Sequence, residues 1–260
     1  MKHPNLNTKY IALVAIMIAT FFLIDNLRIF LNSINGYLEL PDVLRYSLFY
    51  GLQASLCLVF GFGFLKIGNF DLSIWKALGL DSGFLKGIGW SFVFTLPMLF
   101  GYWLTSGINS GVTYEDIVFW SIVSPFVEEL FYRALLLGFV FRFLRVGFIP
   151  SALLVSVIFG LGHLYQGNEL IETLGIFGIT FIGSFLFGWL FIEWKFNFGI
   201  IFGSHLLMNL YWNIFDIGAS NALGGWGANI FRLLTLCLAI VITIKKIRVN
   251  GSQLSGRWLK

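Results

Sequence analysis

Apolar residues run along this chain in long blocks, separated by short stretches that carry polar, glycine and basic residues. The blocks occupy about 10–31, 45–66, 84–105, 116–143, 148–165, 170–192, 196–214 and 228–247. A helix that crosses a bilayer needs about 20 predominantly apolar residues, with a range of about 17–25. The pattern therefore predicts an all-α fold, a polytopic transmembrane helix bundle with about eight spans. Asp25, Asn26 and Arg28 interrupt the first block near its end, and the fifth and seventh are short and contain glycine. Phe70 to Leu80 is too short to cross. Leu72, Trp75 and Leu78 recur there at helical spacing, with Asp71 and Lys76 elsewhere on the wheel, which predicts a helix lying in the membrane interface. No repeat or low-complexity linker divides the chain, so residues 1–260 read as a single integral membrane domain.

Composition agrees. Of the 260 residues 58% are hydrophobic and only 12% charged, where soluble domains carry about 25% charge. A soluble globular class is excluded, and the lipid bilayer is the first partner. The net charge of +4 reports topology rather than affinity for nucleic acid, which is not an expected partner. With the N-terminus inside, Lys2, Lys9, Lys66, Lys76, Lys86, Arg142, Arg145, Lys195, Lys245, Lys246, Arg248, Arg257 and Lys260 all fall on the cytoplasmic side. Arg28, Arg45 and Arg232 fall outside, and Arg133 falls within the membrane. The positive-inside rule thus favours a multi-pass protein of the cell membrane with both termini cytoplasmic. Lys2 and Lys9 ahead of an apolar stretch resemble a signal peptide, but no small-x-small cleavage site follows, so the stretch reads as an uncleaved first span. Cys57 and Cys237 lie in apolar surroundings without metal-type spacing and read as buried small hydrophobes. The 29 glycines suit close helix packing in lipid.

Against this background a few ionisable residues stand out. Glu128 and Glu129 are adjacent in the middle of the fourth block, followed by Arg133. An acid at mid-bilayer costs about 2.5–3.5 kcal/mol on insertion scales, so a functional site is the default explanation. Only His163 and His205 join them inside predicted spans. His3 lies in the N-terminal tail, and the other acids fall at span ends and loops. Asn209, one turn beyond His205, adds an amide on the same face. Glu129 and Arg133 have the i, i+4 spacing of an ion pair with the acid N-terminal. Glu128 lies about 100° round the helix from Glu129 and about 140° from Arg133, so it faces a different neighbour. It is about 18 Å from the outer end of its span at 1.5 Å per residue, near the middle of a core about 30 Å thick. Pro125, three residues upstream, loosens the backbone there.

A carboxylate, two imidazoles and an amide in a wet pocket within the bilayer suit hydrolysis. Glu128 is the candidate general base on a water that His163 also holds. His205 and Asn209 present two donors to one point, which is what an oxyanion needs. Glu129 and Arg133 support them. Alternatively Glu128, His163 and His205 form a two-His-one-Glu set for a divalent metal such as zinc. Spacing does not separate these two. A proton-coupled transporter would use the same acids and histidines as a relay. It would also bring inverted repeats and broken helices in both halves, and neither is evident.

These residues fall into a known pattern. Glu128-Glu129-x-x-x-Arg133, Phe159-x-x-x-His163 and His205-x-x-x-Asn209 resemble the EExxxR, FxxxH and HxxxN motifs of the CPBP family, the CAAX proteases and bacteriocin-processing enzymes also called the Abi family. The three occur in the family's order on the fourth, fifth and seventh expected spans, and the resemblance covers about Ser124 to Trp212. Ala134 stands where many relatives have Gly. The motif-bearing core is about 116–214. The resemblance implies an eight-helix intramembrane endopeptidase of the type II CAAX prenyl endopeptidase kind. Its substrate would be a membrane-associated protein or peptide. Glu128 and His163 would activate water, His205 and Asn209 would stabilise the oxyanion, and Glu129 and Arg133 would orient the acid. Family members have been described both as metalloproteases and as metal-free glutamate enzymes. HxxxN offers an amide where zinc prefers a third His or carboxylate, which favours the metal-free form with no cofactor required. The resemblance also leaves room for a non-catalytic immunity or partner-binding protein of the same fold.

Overall fold

The computed structural model describes residues 8–38, 41–81, 83–218 and 221–254. Among these, every extended element is a helix, and the only β-type pairing is an isolated bridge between Ile108 and Phe215. The helices are α1 (Thr8–Leu38), α2 (Asp42–Gly68), α3 (Ile74–Ala77) and α4 (Phe84–Thr105), then α5, a composite run over 116–142. They continue with α6 (Phe148–Leu161), α7 (Leu170–Glu193), α8 (Phe198–Ile214) and α9 (Trp226–Asn250). The all-α expectation holds. His3, Lys2, Arg257 and Lys260 lie outside the described residues.

The expected span count does not hold. Five of the described helical segments are long and apolar enough to cross a membrane: Asp42–Gly68, Phe84–Thr105, Phe148–Gln166, Leu170–Glu193 and Trp226–Asn250. The correction from eight falls on three elements. In α1 the apolar segment among the described residues is Thr8–Ile24, ahead of Asp25, Asn26 and Arg28 in the sequence. The α8 helix has 17 residues, the lower end of the range for a crossing and about 26 Å at 1.5 Å per residue, against a core about 30 Å thick. In α5 the backbone is not one regular helix. It passes from π-helix (Asp116–Val123) to α-helix (Ser124–Glu128), to π-helix (Glu129–Leu137) and back to α-helix (Gly138–Arg142).

The stretch 70–80 also differs from expectation. It forms a single helical turn, α3, whose N-cap Ser73 side chain accepts from Lys76 N (3.3 Å). Trp75 is exposed while Ala77 and Leu78 are buried, and Arg142 donates to the Ala77 carbonyl (2.8 Å). It is therefore a docked loop turn rather than an amphipathic helix. The turn starts where Asn69 adopts the left-handed conformation (φ 51°) at the end of α2. The Asn69 and Phe70 amides donate to the Lys66 and Leu65 carbonyls, which satisfies acceptors left free at a helix end.

The tightest helix pair is α4 with α8. Gly87 and Ser91, one turn apart on α4, meet Gly199 and Gly203 on α8. A Cβ on Gly199 would lie 2.0 Å from the Phe84 carbonyl oxygen, and one on Gly87 would lie 2.7 Å from Ile200 N. Small residues let backbones approach in lipid. The buried Ser91 hydroxyl uses that closeness to donate to the Ile200 carbonyl (2.7 Å). Asn197 caps α8 through its side-chain oxygen and donates from Nδ2 to the Gly83 carbonyl (2.9 Å), which joins the starts of the two helices. This clamp fixes α8, the helix that carries His205 and Asn209. An aromatic core including Phe64, Phe131, Phe139, Phe191 and Phe198 fills the space between α2, α5, α7 and α8.

Candidate active site

The second π stretch of α5 begins at Glu129. In that register each N–H bonds to the carbonyl five residues back, an arrangement found often at functional sites. Glu128 is the last residue before it, and the two adjacent acids have different surroundings. Glu129 is fully buried (0% exposed), whereas Glu128 is half-buried.

Glu129 meets two partners on one oxygen. Arg133 Nη1 lies 3.0 Å from Oε1, an ion-pair contact. His205 Nδ1 lies 2.7 Å from the same atom. A carboxylate oxygen only accepts, so Nδ1 of His205 carries the proton. Arg133 is 1% exposed, and aromatic faces surround its guanidinium. The Phe159 ring centroid is 4.2 Å away, with Phe187 at 5.8 Å and Tyr132 at 5.9 Å. The expected Glu129–Arg133 pair is present, and the structure adds His205 to it.

Glu128 turns elsewhere, as the helical wheel predicts. Its Oε1 accepts from the Ser124 hydroxyl at 2.5 Å, and its other oxygen makes no hydrogen bond among the described residues. His163 lies just past the end of α6, beyond the capping Gly162, rather than inside the helix. Its Nδ1–H donates to the Phe159 carbonyl (2.7 Å), and its ring lies 4.4 Å from the Phe159 ring. A carbonyl also only accepts, so the neutral imidazole keeps its lone pair on Nε2. Phe159 therefore has two jobs: its backbone sets the His163 tautomer and its ring faces the Arg133 cation.

Asn209, one turn beyond His205 on α8, donates from Nδ2 to the Trp120 carbonyl (3.1 Å). One further turn on, Asn213 donates to Ser121 Oγ (2.9 Å). These two amides tie α8 to the first π stretch of α5, where the backbone departs from regular α-helical bonding.

Glu128, His163, His205 and Asn209 all line one cavity of about 770 Å³ within the bundle, together with Arg133 and Ser124. The sequence reading missed Ser124, Asn213 and the double role of Phe159. Ser124 sits four residues before Glu128 and Asn213 four after Asn209, so a search at helical spacing around each site residue would have found both. Among the described residues, no three His, Cys, Asp or Glu side chains are grouped so as to hold a metal ion. Glu128, His163 and His205 share the cavity but are not gathered as ligands, and each histidine commits Nδ1 to a protein acceptor.

Comparison with known proteins adds one match. Residues 110–211 match the Rce1-like family, described as type II CAAX prenyl endopeptidase Rce1-like. The Rce1-like segment contains every motif residue named above, from Glu128 to Asn209, and leaves α1 to α4 and α9 outside it. No curated protein matches the chain, and no solved structure matches it. This is a protease family, and with several helices able to cross a bilayer the chain is a multi-pass membrane protein.

Proposed function

We propose that the protein is an intramembrane endopeptidase that hydrolyses a peptide bond of a membrane-associated protein or peptide. The observation that carries this is the meeting of Glu128, His163, His205 and Asn209, from three separate parts of the chain, around one cavity in the bundle. The matched family, the Rce1-like type II CAAX prenyl endopeptidases, supports a lipidated substrate.

Glu128 is the general base. It is half-buried, and the Ser124 hydroxyl holds one of its oxygens, so the other is free to take a proton from water. His163 accepts from that water through Nε2. The water oxygen adds to the scissile carbonyl, and the proton removed goes to Glu128. His205 and Asn209 face the developing oxyanion. The Nδ1–H of His205 is held by Glu129, which orients the ring; in its doubly protonated form the Nε2–H donates to the oxyanion and keeps its proton throughout the reaction. Asn209 has a second amide proton besides the one given to Trp120. Collapse of the tetrahedral species breaks the C–N bond, and the proton held by Glu128 passes to the leaving amine. Glu129 and Arg133 position His205 and do not touch the substrate. Nothing in this scheme needs a metal.

The test is proteomic. Membranes from cells carrying the wild type and Glu128→Ala are compared for peptides ending at new termini. Products present only with the wild type identify the substrate. The reading fails if Glu128→Ala and His163→Ala, both inserted at normal levels, cleave that substrate as the wild type does.

A further inference from the structure

Gln53 lies in α2, eleven residues beyond Asp42. At 1.5 Å per residue that is about 17 Å along the helix, near the middle of a core about 30 Å thick. It is 8% exposed, the one buried asparagine or glutamine among the described residues, and it lines the cavity that holds Glu128. Its amide makes no hydrogen bond among the described residues. Ser55, two residues on, shows the contrast: its hydroxyl donates to the Gly51 carbonyl of its own helix (2.7 Å). A buried polar group without a protein partner is costly, so it is hydrated or meets a ligand.

Contacts on either side of Gln53 fix its level against α5. The Tyr46 ring lies 5.4 Å from that of Phe119, and the Phe64 ring 5.1 Å from that of Phe139. Between them, a Cβ on Gly61 would lie 3.3 Å from Leu135 Cδ1. The two helices therefore run parallel, and each of these α2 residues meets one 73 to 75 positions later. By that register Gln53 is level with 126–128, the turn that ends at Glu128. Tyr50, one turn before Gln53, packs in one cluster with Val127. Packed helices have axes about 8–10 Å apart, so an amide and a carboxylate at one level on the wall of one cavity reach a common water. Water has two protons and two lone pairs. In the scheme above Glu128 takes one proton, His163 Nε2 accepts from the other, and one lone pair attacks the carbonyl. The remaining lone pair needs a donor, and the Gln53 amide nitrogen has two.

We propose that Gln53 is a further catalytic residue, which donates from its side-chain amide to the attacking water and holds that water on Glu128. This rests on the endopeptidase reading above and deepens it. Gln53 lies outside the segment matched to the Rce1-like family, residues 110–211, so the match assigns it no role. The amide stays neutral throughout. The proton still passes from water to Glu128, and the water oxygen still bonds to the scissile carbon. In this arrangement α2 supplies one contact of the water, and the reaction draws on a helix whose composition is that of a plain span.

The experiment uses the full chain in phosphatidylcholine vesicles and the substrate found by the proteomic comparison. Gln53→Met keeps the length of the side chain and removes both donors, and Gln53→Leu repeats the test should Gln53→Met fail to insert. The expected result is a kcat lowered about tenfold, the size of one hydrogen bond, with KM unchanged. The unfolding midpoint in detergent should be no lower than that of the wild type, because no protein hydrogen bond is lost. An unchanged kcat overturns the proposal. A raised KM at unchanged kcat shows that the amide holds the peptide instead, and overturns it too. A lower kcat together with a lower unfolding midpoint shows a structural role, with the same consequence. In parallel, crystal structures of the wild type and Gln53→Met in which ordered water is visible require no cleavage. The wild type should hold a water within hydrogen-bond distance of both the Gln53 amide and the Glu128 carboxylate, and Gln53→Met should lack it. Absence of that water, or its persistence in Gln53→Met, overturns the proposal. If the wild type cuts no substrate yet the water is present and depends on Gln53, the water site stands, and the failure counts against the endopeptidase reading alone.

Discussion

Replacing either adjacent glutamate tests whether the two have separate tasks. Glu129→Ala removes the carboxylate that, among the described residues, pairs with a guanidinium that is 1% exposed. Removing one partner of a buried pair costs about 3–5 kcal/mol, because an uncompensated charge stays behind. The ring faces of Phe159, Phe187 and Tyr132 offset some of this, so the lower half of that range is expected. Glu128→Ala removes a half-buried group with one hydrogen bond from Ser124, and the expected change is about 1 kcal/mol or less. The assay is denaturant unfolding in detergent, followed by tryptophan fluorescence, for Glu128→Ala, Glu129→Ala, Arg133→Met and the double variant Glu129→Ala/Arg133→Met. The double variant should be more stable than the sum of its singles predicts, by about 1–3 kcal/mol, because no lone charge remains. Equal stability of Glu128→Ala and Glu129→Ala, or strict additivity in the double variant, would refute the division of labour.

Other outcomes follow from the same geometry. Gly199→Ala places a Cβ 2.0 Å from the Phe84 carbonyl and should destabilise by about 1–3 kcal/mol. Gly178→Ala, with nothing within 4 Å, should be neutral or stabilising by up to about 1 kcal/mol in the same unfolding assay. Phe159→Ala keeps the backbone bond to His163 but removes the ring facing Arg133, and should cost about 3–5 kcal/mol. Ser124→Ala should change stability by about 1 kcal/mol or less while lowering kcat, since it frees the Glu128 carboxylate from its fixed orientation. Kinetics on the substrate found by proteomics would show this, and an unchanged kcat would count against that role. Proteolysis should persist in excess chelator, and a loss that added zinc restores would show the metal-free scheme to be wrong.

The chemistry-bearing residues were legible because lipid makes them rare. In a chain so apolar, Glu128, Glu129, Arg133, His163 and His205 were almost the whole ionisable set that the pattern placed inside spans, and the structure brings them to one cavity and its wall. The split between the two acids was also legible, since one residue of helix turns a side chain by about 100°. What the sequence hid was longer in range or finer in geometry. His205 is 76 residues from Glu129, and no local pattern announces their bond. Hydropathy counted 116–143 as a plain span because it reads composition and not hydrogen-bond register. It likewise counted α8, although that helix is one turn shorter than a comfortable crossing. Leu72, Trp75 and Leu78 had helical spacing, but a single helical turn pinned by Arg142 buries Leu78 and leaves Trp75 exposed.

The π register of α5 has a consequence for how this chain tolerates changes in length. A π turn holds a residue more than the α turn it interrupts, so a single deletion within Glu129–Leu137 can be absorbed by relaxing to ordinary α-helix. The helix would survive such a deletion and the core would still close around it. Residues beyond the stretch would keep their facing, because what is lost is the extra residue of the π turn, and only those between the cut and Leu137 would turn. A deletion between Glu129 and Arg133 would bring the pair from i, i+4 to i, i+3, a spacing that still faces on an α-helix. One after Arg133 would leave the pair untouched and turn only the leucines up to Leu137, which pack in the core. This stretch is therefore where the chain is expected to lose one residue and still insert, fold and stay helical around its buried acid.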